Sequence, residues 1–162
     1  MKAMLRCWMA CVLIAVGFAP VQAQDRYQAS LDKEVKFMRD LQADLALAKT
    51  QRKPLLILYS QVNCGFCHNV RSQHLKHLAL DAKAPVIVRE VMSGAGHSIG
   101  KDPNKDSADA FYKRMGITFF PTVVLYDHAL KPLADPLLGS DTSGFYGAYL
   151  DAAIEQAVAA VK

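Results

Sequence analysis

Residues 55–60, LLILYS, are apolar at both alternating positions, so a strand built from them has no face to offer to water. Such a strand must lie inside a sheet covered on both sides, which calls for helices in two outer layers. Four residues beyond Ser60 the chain reads CGFCH, with Cys64 and Cys67 three positions apart and His68 following. That spacing is compatible with a redox dithiol, half of a zinc site or a c-type haem attachment.

The rest of the chain narrows these choices. Lys2 and Arg6 precede the apolar run CWMACVLIAVGFA, Pro20 interrupts it, and Val21 and Ala23 place small residues before Gln24. This three-part pattern is that of a secretory signal peptide, with cleavage expected after Ala23. The run is too short to span a bilayer comfortably, since a span wants about 20 apolar residues. Export to the periplasm is the expectation, with residues 24–162 forming one domain. Removing residues 1–23 takes Cys7 and Cys11 with it and leaves 17 basic against 15 acidic side chains. So even a balance gives no reason to expect nucleic acid as a partner.

Only Cys64 and Cys67 then remain, in a compartment where disulfides persist. Three residues apart, they close a small ring and cross-link nothing distant. A structural zinc site wants four ligands, so no metal is expected. A haem reading can use His68 as an axial ligand, with Met92 or Met115 as the second. The strand upstream and the strand-rich C-terminal half do not suit a small helical haem domain.

Apolar residues at Leu31, Val35, Met38, Leu41, Leu45 and Ala48 predict one amphipathic helix over 31–50, with Ser30 as its N-cap. A second helix is expected from Cys67 to Leu80, with Val70, His74, Leu75 and Leu78 towards one side, and His77 on its surface. PVIVREVM, residues 85–92, reads as a strand. SGAGHSIGKDPNKD, residues 93–106, fails the phosphate-loop pattern and reads as an exposed connection. SADAFYKRM is a short helix stopped by Gly116. FPTVVLYD is a third strand, KPLADPLLGS a turn with a short fourth. Residues 143–162 form a last helix, with Phe145, Tyr149 and Ala153 or Ile154 on one face. The expected class is α/β, a central mixed β-sheet flanked by helices, with an N-terminal helix extension.

LLILYS leading into CGFC at the head of a helix, and GITFFPTVVLYD about fifty residues later, resemble the thioredoxin-like superfamily. The likeness covers roughly residues 30–160, and CGFCH in particular resembles the catalytic domain of periplasmic disulfide isomerases. The resemblance implies Cys64 as attacking thiol, Cys67 as resolving thiol, and a cis peptide before Pro121. Cys64 at a helix N-terminus would meet unpaired N–H groups that favour its thiolate. Gly65 and Phe66 would form the middle of the ring, Phe66 offering an apolar contact, while Phe120 and Pro121 would flank a client. His68 is a candidate modulator of the thiolate. Six residues before Cys64, where thioredoxin keeps a buried acid, stands Leu58, so no carboxylate relay is expected from that position.

The implied activity is reduction or isomerisation of disulfides in exported protein clients that carry cysteines, with a membrane electron donor or acceptor as redox partner. No cofactor beyond the Cys64–Cys67 disulfide is implied. A disulfide-forming oxidase of the same fold and a client-binding chaperone module are the alternatives.

Overall fold

A computed structural model describes residue 26 and residues 29–102, 105–140 and 143–162. The expected signal segment, residues 1–23, lies outside the described residues. Among those described, no helix is long and apolar enough to cross a membrane.

LLILYSQ forms strand β1, Leu55–Gln61, whose first six residues are all buried. It is central, as its two apolar faces demand. On one side it pairs in parallel with β2, Ile87–Ser93, Leu58 standing opposite Glu90. On the other it pairs antiparallel with β3, Thr122–Tyr126, Tyr59 standing opposite Thr122. A two-residue edge strand β4, Leu137–Leu138, completes a mixed sheet of order β2-β1-β3-β4.

Alternation along β1 divides the core into two layers. Leu56 and Leu58 pack with Val70, Leu75, Leu150 and Ile154 on one face. Leu55, Ile57 and Tyr59 pack with Leu41, Ala48, Phe111 and Tyr112 on the other. The first layer is supplied by helix α2, residues 65–80, and helix α4, Tyr146–Val161. The second is supplied by α1, Leu41–Gln51, and α3, Ala108–Met115. Ser107 caps α3 through Ala110 N–H, and Gly116 ends it at φ 67°, the left-handed conformation that glycine adopts without steric cost.

Two expectations about helices need correction. The predicted helix over 31–50 is not continuous. Residues 29–32 are helical and end in a turn at 33–34, and Phe37 then forms a parallel bridge to Glu90 on the free edge of β2. Met38 N–H donates to Glu90 O (2.8 Å) and Glu90 N–H to Lys36 O (2.9 Å). The helix restarts at Leu41, capped by Asp40, which accepts from Ala43 N–H at 3.0 Å. Ser30 is therefore not the cap of this helix. Leu31, Val35 and Met38 are buried all the same, so their spacing signalled core without signalling one continuous helix.

The face of α4 is also rotated from expectation. Tyr146, Leu150, Ala153, Ile154 and Ala157 are buried, whereas Phe145 and Tyr149 stay 62% and 68% exposed. Alanines at 153 and 157 lie on the buried face with Tyr146, while the rings of Phe145 and Tyr149 point outward.

Candidate active site

β1 ends at Gln61 and delivers the chain to Asn63, which takes φ 57°, a left-handed conformation that asparagine tolerates better than most residues. This turn sets Cys64 at the N-cap of α2 with extended backbone. Cys64 and Cys67 are joined by a disulfide, their Cα atoms 5.3 Å apart. Cys67 N–H donates to Cys64 Sγ across 3.1 Å. Cys64 is half-buried and Cys67 fully buried. Gly65 faces solvent, with open space where a Cβ would stand, and Phe66 is 62% exposed. His68 is exposed, its N–H bonded to Cys64 O at 3.1 Å.

The register of β3 against β1 brings Pro121 level with Ser60, at the strand end that leads to Cys64. The Phe120–Pro121 peptide is cis. Pairing with β1 begins at Thr122, so residues 119–121 lie beyond the ladder at the dithiol end. Gly139 N–H closes onto Pro121 O at 2.8 Å.

Residues 41–135 match the family described as thioredoxin-like domain, more than half of the chain. The chain belongs to this family. Solved structures agree on the thioredoxin-like fold. A DsbH oxidoreductase superposes with a TM-score of 0.52 at 20% identity, covering 68% of this chain and 78% of its own. A thioredoxin-fold protein from Helicobacter pylori gives 0.52 at 17% identity, covering 85% and 94%. Mitochondrial thioredoxin 3 from Saccharomyces cerevisiae gives 0.51 at 19%, covering 77% and 97%. No curated protein sequence matches the chain.

Within this thioredoxin-like domain the two phenylalanines before Pro121 face different ways. Phe120, expected beside the client, turns its ring edge-on to Tyr112 at 5.2 Å and joins the α1–α3 side of the core. Phe119 is the exposed one, at 54%. With Thr122, Pro136 and Leu138 it lines a groove of about 330 Å³. Sequence reasoning missed Phe119, because FF before a proline carries no sign of which ring turns inward.

A buried charged cluster was missed as well. The thioredoxin-like domain has no acid at Leu58, but Glu90, the residue opposite it on β2, is fully buried. Arg71 of α2 donates from Nε to Glu90 Oε2 at 2.7 Å and from Nη2 to Oε1. Ser60 Oγ donates to the same Oε1. Arg71 is 1% exposed and lies one helical turn beyond Cys67, in a π-helical stretch, Val70–Leu75. The available signal was a charge inside PVIVREVM, a strand that otherwise reads as buried.

Tyrosines brace the opposite side of β1. Tyr112 Oη reaches Ser60 O at 2.9 Å and also Val91 O. Tyr59 and Tyr126 share a hydroxyl–hydroxyl bond of 2.9 Å. Burial pushes the phenols of Tyr59, Tyr112 and Tyr126 up, so they remain protonated donors. Among the described residues no group of three His, Cys, Asp or Glu side chains is placed to hold a metal ion.

Proposed function

We propose that this protein is an exported thiol–disulfide oxidoreductase that reduces or isomerises disulfides in protein clients. The single observation that carries the reading is the asymmetry of the pair: Cys64 is partly open at a helix N-cap, while its partner Cys67 is fully buried one turn on.

That asymmetry divides the chemistry. In the reduced protein, the Cys64 thiolate is favoured by the Cys67 N–H and by the positive end of α2. It attacks one sulfur of a client disulfide. A new S–S bond forms to Cys64, the client S–S bond breaks, and a client thiolate leaves to take a proton from water. The Cys67 thiolate then attacks Cys64 Sγ, releasing the second client sulfur. The client gains two electrons and two protons, and the protein is left with the Cys64–Cys67 disulfide. In isomerisation the client's own thiolate displaces Cys64 instead.

Phe66 and Phe119, both exposed, offer apolar contact to an unfolded client, and Pro121 stands where an incoming extended segment would pass. His68, at the surface beside the pair, is the candidate for tuning the thiolate. The signal-peptide pattern of residues 1–23 supports the periplasm as the compartment of the reaction, and there a membrane electron donor would return the disulfide to the dithiol.

The test is equilibration with glutathione together with reduction of a disulfide-bonded client. A potential towards the thioredoxin value, about −270 mV, supports the reducing direction. A value towards about −120 mV makes the protein a disulfide-forming oxidase instead. Absence of exchange with glutathione leaves a client-binding module.

A further inference from the structure

We propose that the cavity at the pole opposite the dithiol, lined by Lys49, Arg52 and Lys53, is a binding site for a phosphate-bearing anion. The site lies outside the thiol chemistry and uses none of its residues.

Three segments meet there. α1 ends at Gln51, and Arg52 and Lys53 follow before β1 begins at Leu55. The turn after β3 brings Asp127 and His128, and the last turn of α4 brings Val161 and Lys162. Together they line a cavity of about 340 Å³. β1 starts beside this cavity and runs about 20 Å before it delivers the chain to Cys64.

The cations gathered here lack partners. Among the described residues none of Lys49, Arg52, Lys53, His128 and Lys162 forms an ion pair, whereas Arg39, Arg71, Lys76 and Arg89 are each paired with a carboxylate elsewhere. The acidic side chain in the lining is Asp127, and its Oδ1 already accepts from Ala129 N–H (2.8 Å) and Lys131 N–H (2.9 Å) within its own turn. A near-even balance over the whole chain therefore conceals a local excess of positive charge, and a concave wall of one sign focuses its field on the cavity.

Helix ends account for part of this excess. α1 and α4 both bring their C-terminal residues to the cavity, and a cation at each end offsets the helix dipole. Lys49 and Lys162 suffice for that, which leaves Arg52 and Lys53 in surplus. Arg52 also sits at φ 51°, the left-handed helix cap at which glycine is the ordinary residue. A guanidinium is thus carried where the backbone favours no side chain at all.

Several cations around one ligand favour an anion with more than one charge. A phosphate group has that charge and three acceptor oxygens, two of which the planar Arg52 fork can bind side by side, with the lysines as point charges. Ala48 and Val161 give the cavity apolar wall for the carbon part of a phosphate ester. A soluble phosphate compound and a lipid headgroup offer this same chemistry.

The test uses the disulfide-bonded protein at neutral pH and low salt, with two probes. Inorganic pyrophosphate is titrated in, followed by calorimetry and by backbone amide NMR shifts. Sedimentation is measured with phosphatidylglycerol vesicles and with phosphatidylcholine vesicles. Saturable pyrophosphate binding, with shifts concentrated at residues 48–53 and 127–128, is the expected result and assigns a soluble ligand. Sedimentation with phosphatidylglycerol alone assigns a lipid headgroup. Arg52→Gly removes the cation and relieves the left-handed backbone, so the variant is expected to fold at least as well. It is expected to weaken binding about tenfold, the loss of charge-assisted hydrogen bonds. Lys53→Gln is expected to weaken it severalfold. Lys83→Gln combined with Lys113→Gln removes two exposed, unpaired charges elsewhere and is expected to stay within about twofold of the parent.

Failure of both probes to bind overturns the proposal. So does binding that Arg52→Gly and Lys53→Gln leave unchanged, an equal loss in the Lys83 and Lys113 control, or NMR shifts centred elsewhere. Equal sedimentation with both kinds of vesicle and no pyrophosphate binding overturns it too, since charge then plays no part. A polyglutamate peptide that binds where neither probe does overturns it in favour of an acidic protein segment.

Discussion

Cys67 N–H donates to Cys64 Sγ across 3.1 Å, so under the proposed mechanism the residue that would stabilise the attacking sulfur is also the one whose own sulfur would displace it. Exposure separates the two roles. A client disulfide can approach Cys64, whereas fully buried Cys67 reaches only its neighbour.

Cys67→Ser is therefore expected to accumulate mixed disulfides with clients, because Cys64 can still attack and nothing resolves the product. Cys64→Ser is expected to trap none. Non-reducing electrophoresis after acid quenching reads both, and trapping by Cys64→Ser in place of Cys67→Ser would reverse the assigned roles.

Phe119 and Phe120 are adjacent but separable. Phe119→Ser is expected to slow turnover of an unfolded client severalfold while leaving the unfolding midpoint nearly unchanged, since surface substitutions usually fall within about 0.5 kcal/mol. Phe120→Ala removes a ring packed on Tyr112 and is expected to cost on the order of 2 kcal/mol. Urea denaturation and client kinetics on the two variants check the division. Equal stability losses would remove the distinction between an outward and an inward ring.

The buried ion pair has a stability signature of its own. Arg71→Met leaves Glu90 buried without its partner and is expected to cost about 3–5 kcal/mol. The double change Arg71→Met with Glu90→Leu removes both charges and is expected to recover most of that loss, because desolvation no longer has to be offset. Denaturant midpoints of both proteins measure the coupling. A double variant as unstable as the single would show that packing, not charge, holds this layer.

Some of this architecture was legible in the sequence because its signals are local. LLILYS is apolar on both faces whatever surrounds it, and CGFC follows within one turn. The order of elements from Leu55 onward follows from apolar runs and from punctuation such as Pro54, Ser107 and Gly116. The start of the domain was not legible in the same way. Leu31, Val35 and Met38 fit a helical period, yet after a helix end and turn at 31–34 the backbone at 36–38 is claimed by the edge of β2 through Phe37 and Glu90, residues far apart in sequence. Arg71 and Glu90 are separated by 19 positions and lie on different elements, so their pairing needs the fold before it can be read. The rotation of α4 has a similar cause: Phe145, Tyr149 and Ala153 share a helical spacing, but so do Tyr146, Leu150, Ala153 and Ala157, and only packing on the sheet selects between them.

The break before Leu41 makes a prediction. Asp40 is the residue that restarts the helix, so Asp40→Ala is expected to cost about 1 kcal/mol through loss of the bond to Ala43 N–H. A continuous helix through 31–50 would place Asp40 mid-helix, where alanine is the better helix former and would stabilise. The sign of the change in urea midpoint distinguishes the two.

His97 gives the fold a pH dependence with a definite sign. Its ring packs against Phe37 at 5.4 Å, in the connection after β2. Burial holds its pKa below the ordinary 6.5, Arg39 adds to the effect, and Asp109 opposes it. A histidine harder to protonate when folded binds fewer protons in the native state than in the unfolded chain. The stability linked to it is full above about 6.5 and is lost as pH falls through the lowered folded value. His97→Gln keeps a polar side chain of similar reach and cannot take up that proton. Between about pH 7.5 and 5.5, the unsubstituted protein is therefore expected to lose more stability than His97→Gln, read as the difference in urea midpoints at each pH. Equal losses would mean that the ring is freely hydrated in the native state and that its packing on Phe37 does not shield it.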